Sequence, residues 1–316
     1  MSAHEFLVVG AGWSGLACAK ALSDAGRTVV VHEKDRLGGR ARTVTVGGRP
    51  VDVGAAYFTA SVPAFVGEVG TWSERELVMP WTDTFHVATP DGVIGTHSGP
   101  MRYVARGGLS ALAVDFAEGI DVVSDTDVSS VGAAEADGHS YAGVAVTCPS
   151  PEALAILDPG LVSLREAATT VFDPCVVAVL EFADRSWLEF DACFVNDSAL
   201  ITFVVDDGRR AGDGHPTLVV YGSPVLSAAH LGDPASVVDV LLPELDTCLG
   251  VRVTPRAAEV FPWRHARPRR PRPEPCLVGD QGVGLCGDAW HAPSRLQSAY
   301  LSGRALGRAL QDIGRH

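Results

Sequence analysis

Four residues near the start of the chain have the types and spacing that bind a dinucleotide. Gly10, Gly12 and Gly15 follow an apolar run, and Glu33 follows a second apolar run. The first glycine permits a tight turn, the second lets backbone approach a pyrophosphate, and the third lets a helix pack closely on a strand. A carboxylate about 20 residues further on accepts hydrogen bonds from an adenosine ribose. The pattern predicts an adenine dinucleotide.

The elements around these residues decide whether the pattern is meaningful, because a glycine turn alone also serves simple chain reversal. Here an apolar strand at 6–9 precedes the turn, an Ala/Leu-rich helix begins near Trp13, and a strand at 29–32 ends at Glu33. The N-terminus of that helix directs unpaired N–H groups and the positive end of its dipole at the phosphates. The context therefore favours a strand, turn, helix and strand that bind a dinucleotide.

Composition excludes several classes of partner. The chain has 316 residues, is 47% hydrophobic and carries a net charge of -13. This length favours about two domains, and the negative charge repels phosphate backbones and anionic lipid. We therefore expect no nucleic-acid or membrane partner, and a monomer or homodimer is equally compatible with the composition.

Cysteine usage and the N-terminal segment indicate the compartment. The seven cysteines are scattered and form no C-x-x-C pair, so neither a metal site nor a disulfide framework is indicated. The first strand leaves no room for a signal peptide, and no apolar run approaches the roughly 18 residues of a membrane helix. These patterns predict a soluble cytoplasmic protein with reduced cysteines.

Hydrophobic periodicity predicts the remaining elements. We expect helices at 63–70, 149–157, 234–249 and 298–312, a helix opening at 107, and strands at 84–88, 92–96, 120–123, 174–182, 200–206, 217–222 and 283–286. Asp137-Gly138 is a strong turn signal and predicts a hairpin of 128–131 with 141–147. The proline-rich stretch 267–275 forbids a helix or central strand, so it is a solvated loop or its arginines hold substrate phosphates.

A second glycine pair carries a family resemblance. Gly38-Gly39-Arg40 resembles the G-G-R signature of the flavin amine oxidase superfamily, in which the arginine approaches the flavin dinucleotide. Together with further short segments, the two glycine motifs resemble the renalase branch of that superfamily, and the resemblance runs nearly from end to end of the chain. The further segments are residues 52–59, 172–175, 263–266, 285–288 and 298–303.

The resemblance implies an α/β fold. It has a Rossmann-like FAD-binding domain of the amine-oxidase type and a second α+β substrate domain on a mostly antiparallel sheet. The FAD-binding domain would comprise residues 1–58, 106–153 and 277–316, and the substrate domain residues 59–105 and 154–276.

The resemblance also implies which residues bind FAD. The glycine turn would hold the pyrophosphate, Val123 would offer backbone to the adenine, and the last helix would direct N–H donors at flavin N1 and O2. The expected cofactor residues are Gly10, Gly12, Trp13, Ser14, Gly15, Glu33, Lys34, Gly39, Arg40, Gly54, Ala55, Val123, Gly287, Asp288, Gln297 and Ser298. Some relatives attach flavin covalently through a cysteine shortly before the last helix. The corresponding segment here, residues 290–294, contains no cysteine, so noncovalent FAD is expected.

The lysines indicate the reaction. Monoamine and polyamine oxidases typically place a lysine near flavin N5, whereas this chain has only Lys20 and Lys34, neither of which is expected there. The renalase resemblance implies oxidation of 2- or 6-dihydro isomers of NAD(P)H by hydride transfer to flavin N5, with O2 reoxidising the flavin to H2O2. The alternatives are an amine or secondary-metabolite oxidase on the same scaffold and a redox-silent flavin-binding protein.

Residues near the resembling segments are candidates for the substrate pocket. They are Tyr57, Trp263, Arg264, His265, Trp290 and His291. For the aromatic residues core packing is the alternative, and a structural role is the alternative for each histidine. Arg264 is favoured as a pocket residue because a charged group between aromatics is seldom buried without a partner. Gln297 stands where renalases often have an acidic residue.

Overall fold

Two β-sheets form the framework of residues 5–252, 254–279 and 281–312, the part of the chain that the computed structural model describes. In chain order the strands are β1 (Glu5–Val9), β2 (Thr28–His32), β3 (Thr43–Val46), β4 (Arg49–Asp52), β5 (Phe58–Thr59), β6 (Val78–Thr89), β7 (Gly92–Ala105), β8 (Asp121–Val123), β9 (Val131–Gly132), β10 (Glu135–Ala136), β11 (His139–Ser140), β12 (Gly143–Val146), β13 (Phe172–Glu181), β14 (Ala192–Val195), β15 (Ile201–Asp206), β16 (Thr217–Gly222), β17 (Ala257–Pro268), β18 (Leu277–Val278) and β19 (Val283–Leu285). The helices are α1 (Trp13–Asp24), α2 (Pro63–Glu74), α3 (Leu109–Phe116), α4 (Ser150–Ile156), α5 (Val162–Ala167), α6 (Asp207–Ala211), α7 (Pro224–His230), α8 (Val237–Leu249) and α9 (Leu296–Leu310).

The first sheet has six strands in the order β18-β19-β12-β1-β2-β8. Strands β19, β12, β1, β2 and β8 are parallel, and β18 pairs antiparallel with β19 at one edge. Residues 6–9 of β1 are all buried, because helices or loops cover both faces of a parallel sheet and its strands are apolar throughout. The glycine turn lies at the carboxyl end of β1, at the edge where such sheets bind ligands.

Helices α1 and α9 pack with their backbones in contact on this sheet. A Cβ atom on Gly303 would lie 1.9 Å from the Ser14 carbonyl oxygen, and one on Gly307 would lie 2.6 Å from the Cys18 oxygen. The glycines are four residues apart, as are Ser14 and Cys18, so one stripe of each helix meets the other. This contact holds the N-termini of both helices at the same edge of the sheet.

The second sheet has eight strands in the order β17-β13-β16-β15-β14-β6-β7-β5. All of its pairs are antiparallel except β14 with β6. Side chains of β13 alternate between two cores, as strand geometry requires. Val176 and Leu180 pack in the core that contains Leu241 of α8, whereas Val177 packs with residues of β4 on the opposite face.

A buried ionic network joins β4 to α6. The Arg210 guanidinium donates to Asp52 Oδ2 at 2.6 Å and to Asp207 Oδ1 at 2.6 and 2.9 Å. Asp52 also accepts hydrogen bonds from Thr43 Oγ1 and from the Leu109 N–H, which opens α3. The network therefore links the segment after the second glycine motif to the second sheet.

The fold class is as predicted, but one hairpin differs. Asp137 and Gly138 join β10 to β11 in a three-stranded meander with β9, rather than joining residues 128–131 to 141–147. Strand β12 pairs instead with β1 and β19, because its residues 143–146 are all buried and belong in the parallel sheet. The turn signal was correct, and tertiary pairing determined the partner of the following strand.

The proline-rich stretch begins within a strand. Strand β17 extends to Pro268, and it lies at the edge of its sheet, where a missing N–H leaves no ladder hydrogen bond unmade. None of the helices in the described ranges is long and apolar enough to cross a bilayer.

Candidate active site

A cavity of about 980 Å³ is lined by residues of both sheets. This volume is at the upper end of the usual range for ligand sites, roughly 300–1,000 Å³. We divide its lining into three parts. The acid end contains Glu33, Lys34, Thr126, Asp127, Val128 and Glu152; the charged middle contains Gly10, Gly12, Gly39, Arg40, Arg264, Arg267 and Asp288; the apolar end contains Gly54, Ala55, Cys175, Val177, Tyr221 and Trp263.

Glycine suits each of the three positions of the first turn for a different physical reason. Gly10 has a φ of +97°, which favours glycine. A Cβ on Gly15 would lie 1.8 Å from the Gly10 carbonyl oxygen, so α1 could not begin this close to β1. A Cβ on Gly12 would meet no heavy atom within 4 Å, and Gly12 lines the cavity. The turn therefore presents open backbone and a helix N-terminus, which fits a bound pyrophosphate.

The second glycine motif packs directly against the first. The Gly38 N–H donates to the Ala11 carbonyl at 2.9 Å, and Gly38 forms a parallel bridge with Gly12. A Cβ on Gly39 would lie 3.3 Å from Gly12 Cα. The close approach of the two motifs brings Arg40 to the middle of the cavity.

Trp13 and Ser14 line the cavity, but their side chains face inward. The Trp13 ring is buried and stacks on Phe116, with ring centroids 5.4 Å apart. Ser14 Oγ donates to the Thr147 carbonyl at 3.3 Å. These two residues therefore offer a ligand the backbone of the first helical turn rather than a side chain.

Glu33 is oriented by the backbone at the acid end. Its Oε2 accepts from the Ala11 N–H at 2.6 Å and its Oε1 accepts from the Asp35 N–H at 3.0 Å. The residue is only 8% exposed, yet it lines the cavity. Each carboxylate oxygen keeps a further lone pair for a ribose hydroxyl.

We expect Glu33→Gln to weaken FAD binding about tenfold or more. The amide is uncharged, and its NH2 group would face one of the two backbone N–H groups that now donate to the carboxylate. The measurement is quenching of FAD fluorescence on titration with apoprotein. Glu135→Gln, at an exposed position of strand β10, is the matched control and should leave the affinity unchanged. Equal affinities for the wild type and Glu33→Gln would contradict the expected role.

A chain of three side chains crosses the acid end. Lys34 Nζ lies 2.8 Å from Glu152 Oε2, and His265 Nδ1 lies 3.2 Å from Glu152 Oε1. Burial alone would raise the pKa of Glu152, but its hydrogen bonds to Lys34 and His265 outweigh burial and lower it. The hydrogen bond to Glu152 in turn raises the pKa of Lys34. Lys34 is therefore a charged partner of Glu152.

Arg40 and Asp288 pair with each other across the charged middle. Arg40 Nη1 lies 2.8 Å from Asp288 Oδ2, and Arg40 also donates to the Ala266 carbonyl at 3.1 Å. Asp288 accepts a further hydrogen bond from Ser294 Oγ at 2.7 Å. The sequence predicted separate contacts of each residue with the cofactor, whereas the structure shows that the two charges also neutralise each other.

The apolar end lies against the segment that follows β4. The Ala55 N–H donates to the Arg40 carbonyl at 3.0 Å, and Trp263 Nε1 donates to the Val53 carbonyl at 2.7 Å. Burial raises the pKa of the Cys175 thiol to about 12, and burial followed by the Asp52 charge raises the pKa of Tyr221 well above its ordinary value. Both groups are therefore neutral near pH 7.

Three candidate pocket residues lie outside the lining. Tyr57 packs edge-on against Phe85 with centroids 5.3 Å apart, Trp290 is 4% exposed beneath Arg272, and His291 hydrogen-bonds through its backbone to Glu274. For the two aromatics the core-packing alternative holds. Trp263, Arg264 and His265 do line the cavity, but Arg264 is exposed, so the argument from burial does not apply to it.

Five expected cofactor residues also lie outside the lining: Gly15, Val123, Gly287, Gln297 and Ser298. Gly15 allows α1 to pack closely on the glycine turn, and Gly287 has a φ of +143°, a backbone conformation that favours glycine.

The other three make contacts elsewhere. The Val123 carbonyl accepts from the Glu33 N–H, and Gln297 Oε1 accepts from the Ser61 N–H at 2.7 Å at the start of α2. Ser298 Oγ donates to the Pro293 carbonyl. Leu296 and Ala299 are the residues of the α9 N-terminus that reach the cavity.

Several lining residues had no sequence signal of their own. Glu152 follows β12 in a short helix without a recognisable motif, and Val128 lies in a loop that only tertiary structure brings beside Glu33. Val177 and Tyr221 lie within apolar strands, where alternation indicates that every second residue shares a face but not which face meets a cavity. Val177 and Tyr221 lie directly opposite each other across β13 and β16, and this register was needed to place them.

The class of protein follows from this geometry. A parallel sheet with a glycine turn at a helix N-terminus and a carboxylate at the end of the second strand defines a dinucleotide-binding protein, and the second sheet adds a wall for a substrate. Residues 8–68 match the NAD(P)-binding Rossmann-like domain, and residues 74–309 match the flavin containing amine oxidoreductase family. The chain belongs to the flavin containing amine oxidoreductase family.

Similar proteins include enzymes with different named substrates. Coproporphyrinogen III oxidase of Mycobacterium leprae (strain TN) is 33% identical over 209 residues, which are 55% of this chain and 46% of the relative. Putrescine oxidase of Kocuria rosea is 31% identical over 148 residues, which are 44% of this chain and 28% of the relative. The chain thus spans less than half the length of these curated relatives.

Solved structures share the fold at low identity. A putative protoporphyrinogen oxidase from Exiguobacterium sp. 255-15 matches with a TM-score of 0.79 and 13% identity, over 98% of this chain and 99% of that one. Cyclohexylamine oxidase from Brevibacterium oxydans IH-35A matches with a TM-score of 0.73 and 13% identity, over 98% and 99%. These structures confirm the predicted fold class. The predicted flavin cofactor is confirmed by the family match rather than by them.

Proposed function

We propose that the protein oxidises an anionic reduced heterocycle, with the 2- and 6-dihydro isomers of NADH and NADPH as the first candidates. Bound FAD supplies a hydride acceptor that O2 can regenerate with release of H2O2. The observation that carries the proposal is the apolar end of the cavity. The six residues named for that end include no carboxylate, imidazole or ammonium group, and Cys175 and Tyr221 are neutral there.

A wall without a base suits a donor that loses hydride without losing a proton from nitrogen. A dihydropyridine is such a donor, because hydride loss makes it an aromatic pyridinium directly. The task of Val177, Tyr221 and Trp263 is then to exclude water and to hold the donor ring in place, which contributes through positioning. Both lysines are engaged elsewhere, since Lys34 pairs with Glu152 and Lys20 lies 4.8 Å from the Phe116 ring centroid.

In this proposal FAD lies along the whole cavity and is not covalently attached. Glu33 would hold the adenosine ribose, the glycine turn and α1 the pyrophosphate, Arg40 with Asp288 the middle, and Gly54 with Ala55 the ring. Residues 1–58, 106–153 and 277–316 would form the FAD-binding domain, and residues 59–105 and 154–276 the substrate domain.

A porphyrinogen is the second candidate. The observation that favours it is the 33% identity to a coproporphyrinogen III oxidase. Coproporphyrinogen is also an anionic reduced heterocycle, so the same cavity charges suit it. An amine is disfavoured, because the described lining of the apolar end offers no carboxylate to pair with an ammonium group.

Anaerobic stopped-flow mixing of the FAD-loaded protein with each donor separates the candidates. We expect the 2- or 6-dihydro isomers to bleach the oxidised flavin band rapidly, and ordinary NADH, NADPH, putrescine and cyclohexylamine not to do so. Bleaching by coproporphyrinogen III alone would select the second candidate. Bleaching by an amine, or by no donor at all, would contradict the proposal.

A further inference from the structure

An arginine-rich segment lines the cavity. We name residues 264–272 the arginine strap; it comprises the end of β17 and the start of the proline-rich stretch. One side is fixed where the Ala266 carbonyl accepts from Arg40 at 3.1 Å. The other side is fixed where the Arg272 N–H donates to the Ala289 carbonyl at 2.7 Å and the Ala292 N–H donates to the Arg272 carbonyl at 3.0 Å. The backbone of the strap is therefore held in place over the charged middle.

Two arginines of the strap carry free charges into the cavity. Arg264, Arg267 and Arg269 all line it. Arg269 Nε lies 2.6 Å from Asp173 Oδ1, so this charge is paired. Neither the Arg264 nor the Arg267 side chain has a hydrogen-bond or ion-pair partner in the part of the chain that the structure describes. Exposed guanidinium groups of this kind are available to a ligand.

The charge of the cavity is opposite in sign to that of the chain. The chain carries a net charge of -13, whereas eight arginine or lysine residues and six acidic residues line the cavity. Five of the six acids already have partners: Glu33, Asp35, Glu152, Asp173 and Asp288. A locally positive cavity in an acidic protein attracts anions.

We propose that Arg264 and Arg267 bind the phosphate or carboxylate groups of the substrate. The inference rests on the proposed function and names the part of the substrate that this site recognises. Arg264 is next to Trp263 at the apolar end, and Arg267 lies three residues further along β17, where the pairing of β17 with β13 is irregular. An anionic group held by Arg264 therefore leaves its attached ring at the apolar end, and Arg267 takes a second anionic group.

The cofactor has its own phosphate site in the glycine turn, so the strap is free to serve the substrate. Guanidinium groups bind phosphate and carboxylate through paired N–H donors, which glutamine cannot match. Arg264→Gln and Arg267→Gln should therefore each weaken anion binding about tenfold, and the double variant about a hundredfold. Arg270→Gln is the matched control, because Arg270 is an exposed strap residue that does not line the cavity.

The test is calorimetric titration of the FAD-loaded proteins with ADP-ribose and, separately, with coproporphyrin III. The first probe carries the phosphates of a dinucleotide and the second carries carboxylates. We expect the wild type to bind at least one probe, the strap variants to lose affinity as stated, and the control to stay within about twofold of the wild type. Whichever probe the wild type binds and the strap variants bind more weakly identifies the recognised group, which is phosphate for ADP-ribose and carboxylate for coproporphyrin III.

Three results would overturn the inference: no binding of either probe to the wild type, an equal loss in Arg270→Gln, or loss of FAD from the double variant on gel filtration. The last would mean that the strap binds the cofactor. The proposed function fails separately. If no dihydronicotinamide isomer bleaches the flavin but the double variant still loses probe binding, the anion site stands and only the substrate assignment falls.

Discussion

Gly303→Ala is expected to destabilise the protein by about 3 kcal/mol and to release FAD, because it forces apart the two helices that would meet the cofactor in the proposed binding mode. The added Cβ would lie 1.9 Å from the Ser14 carbonyl oxygen and 2.7 Å from its carbonyl carbon. Both are backbone atoms of the first turn of α1, so no side-chain rotation relieves the clash. Separating α9 from α1 also displaces the N–H groups that would bind the pyrophosphate.

Chemical denaturation followed by tryptophan fluorescence, together with flavin content after gel filtration, measures this effect. Gly67→Ala is the matched control, since Gly67 is an exposed glycine within α2 and its Cβ would meet nothing within 4 Å. The control should gain about 0.5–1 kcal/mol from helix propensity. If the two variants change stability by the same amount, close helix packing does not explain the glycine.

Arg210→Met is expected to lower the free energy of unfolding by about 3–5 kcal/mol, because it leaves Asp52 as a buried charge without its cation. Asp52 and Arg210 are 1% and 6% exposed, and their side chains are 2.6 Å apart. Asp207 keeps a second partner, Arg49 Nη2, at 3.3 Å. The loss therefore falls mainly on Asp52 and on the Leu109 N–H that it caps.

The cost of Arg210→Met should depend on pH in a defined direction. Burial raises the pKa of Asp52 and Arg210 opposes that shift, so removal of the arginine raises the pKa further. A folded-state pKa above the unfolded value means that the folded state binds the extra proton, and stability then falls as the pH rises between the two values. Urea denaturation should therefore show a larger deficit at about pH 8 than at about pH 5.

Arg209→Met tests whether any arginine of α6 would behave this way. Its guanidinium pairs with Asp191 at 3.0 Å and with Glu189 at the surface, so its loss should cost under about 1 kcal/mol. The role given to the buried network would be contradicted if Arg210→Met lost as little stability as Arg209→Met, or if its loss of stability increased as the pH fell.

The renalase resemblance and the family match lead to the same fold but not to the same substrate. In the proposed binding mode the glycine motifs and Glu33 would hold the part of FAD that the superfamily shares, so they carry no information about the donor. Substrate choice would then depend on the cavity wall that lies in the second sheet. That wall comes from β13, β16 and β17, which are separated from the motifs by more than a hundred residues of chain.

The sequence by itself determined the dinucleotide-binding half of the site. A tight turn, an exposed helix N-terminus and a carboxylate at a strand end are local features, and local steric and electrostatic rules link residue type to conformation over such short distances. For the same reason Gly10, Gly12 and Glu33, which the structure places at the cavity, could be predicted as binding residues before any tertiary contact was known.

Tertiary structure decided most of the remaining cavity lining, although Trp263, Arg264 and His265 had been named as candidates from the sequence. Tyr57 and Trp290 resemble pocket residues in the sequence but pack in cores, whereas Glu152 and Tyr221 reach the cavity without any motif. An apolar strand residue turns to one face or the other according to its register with neighbouring strands, and a one-residue shift reverses it. That register is set by long-range pairing, which no local pattern encodes.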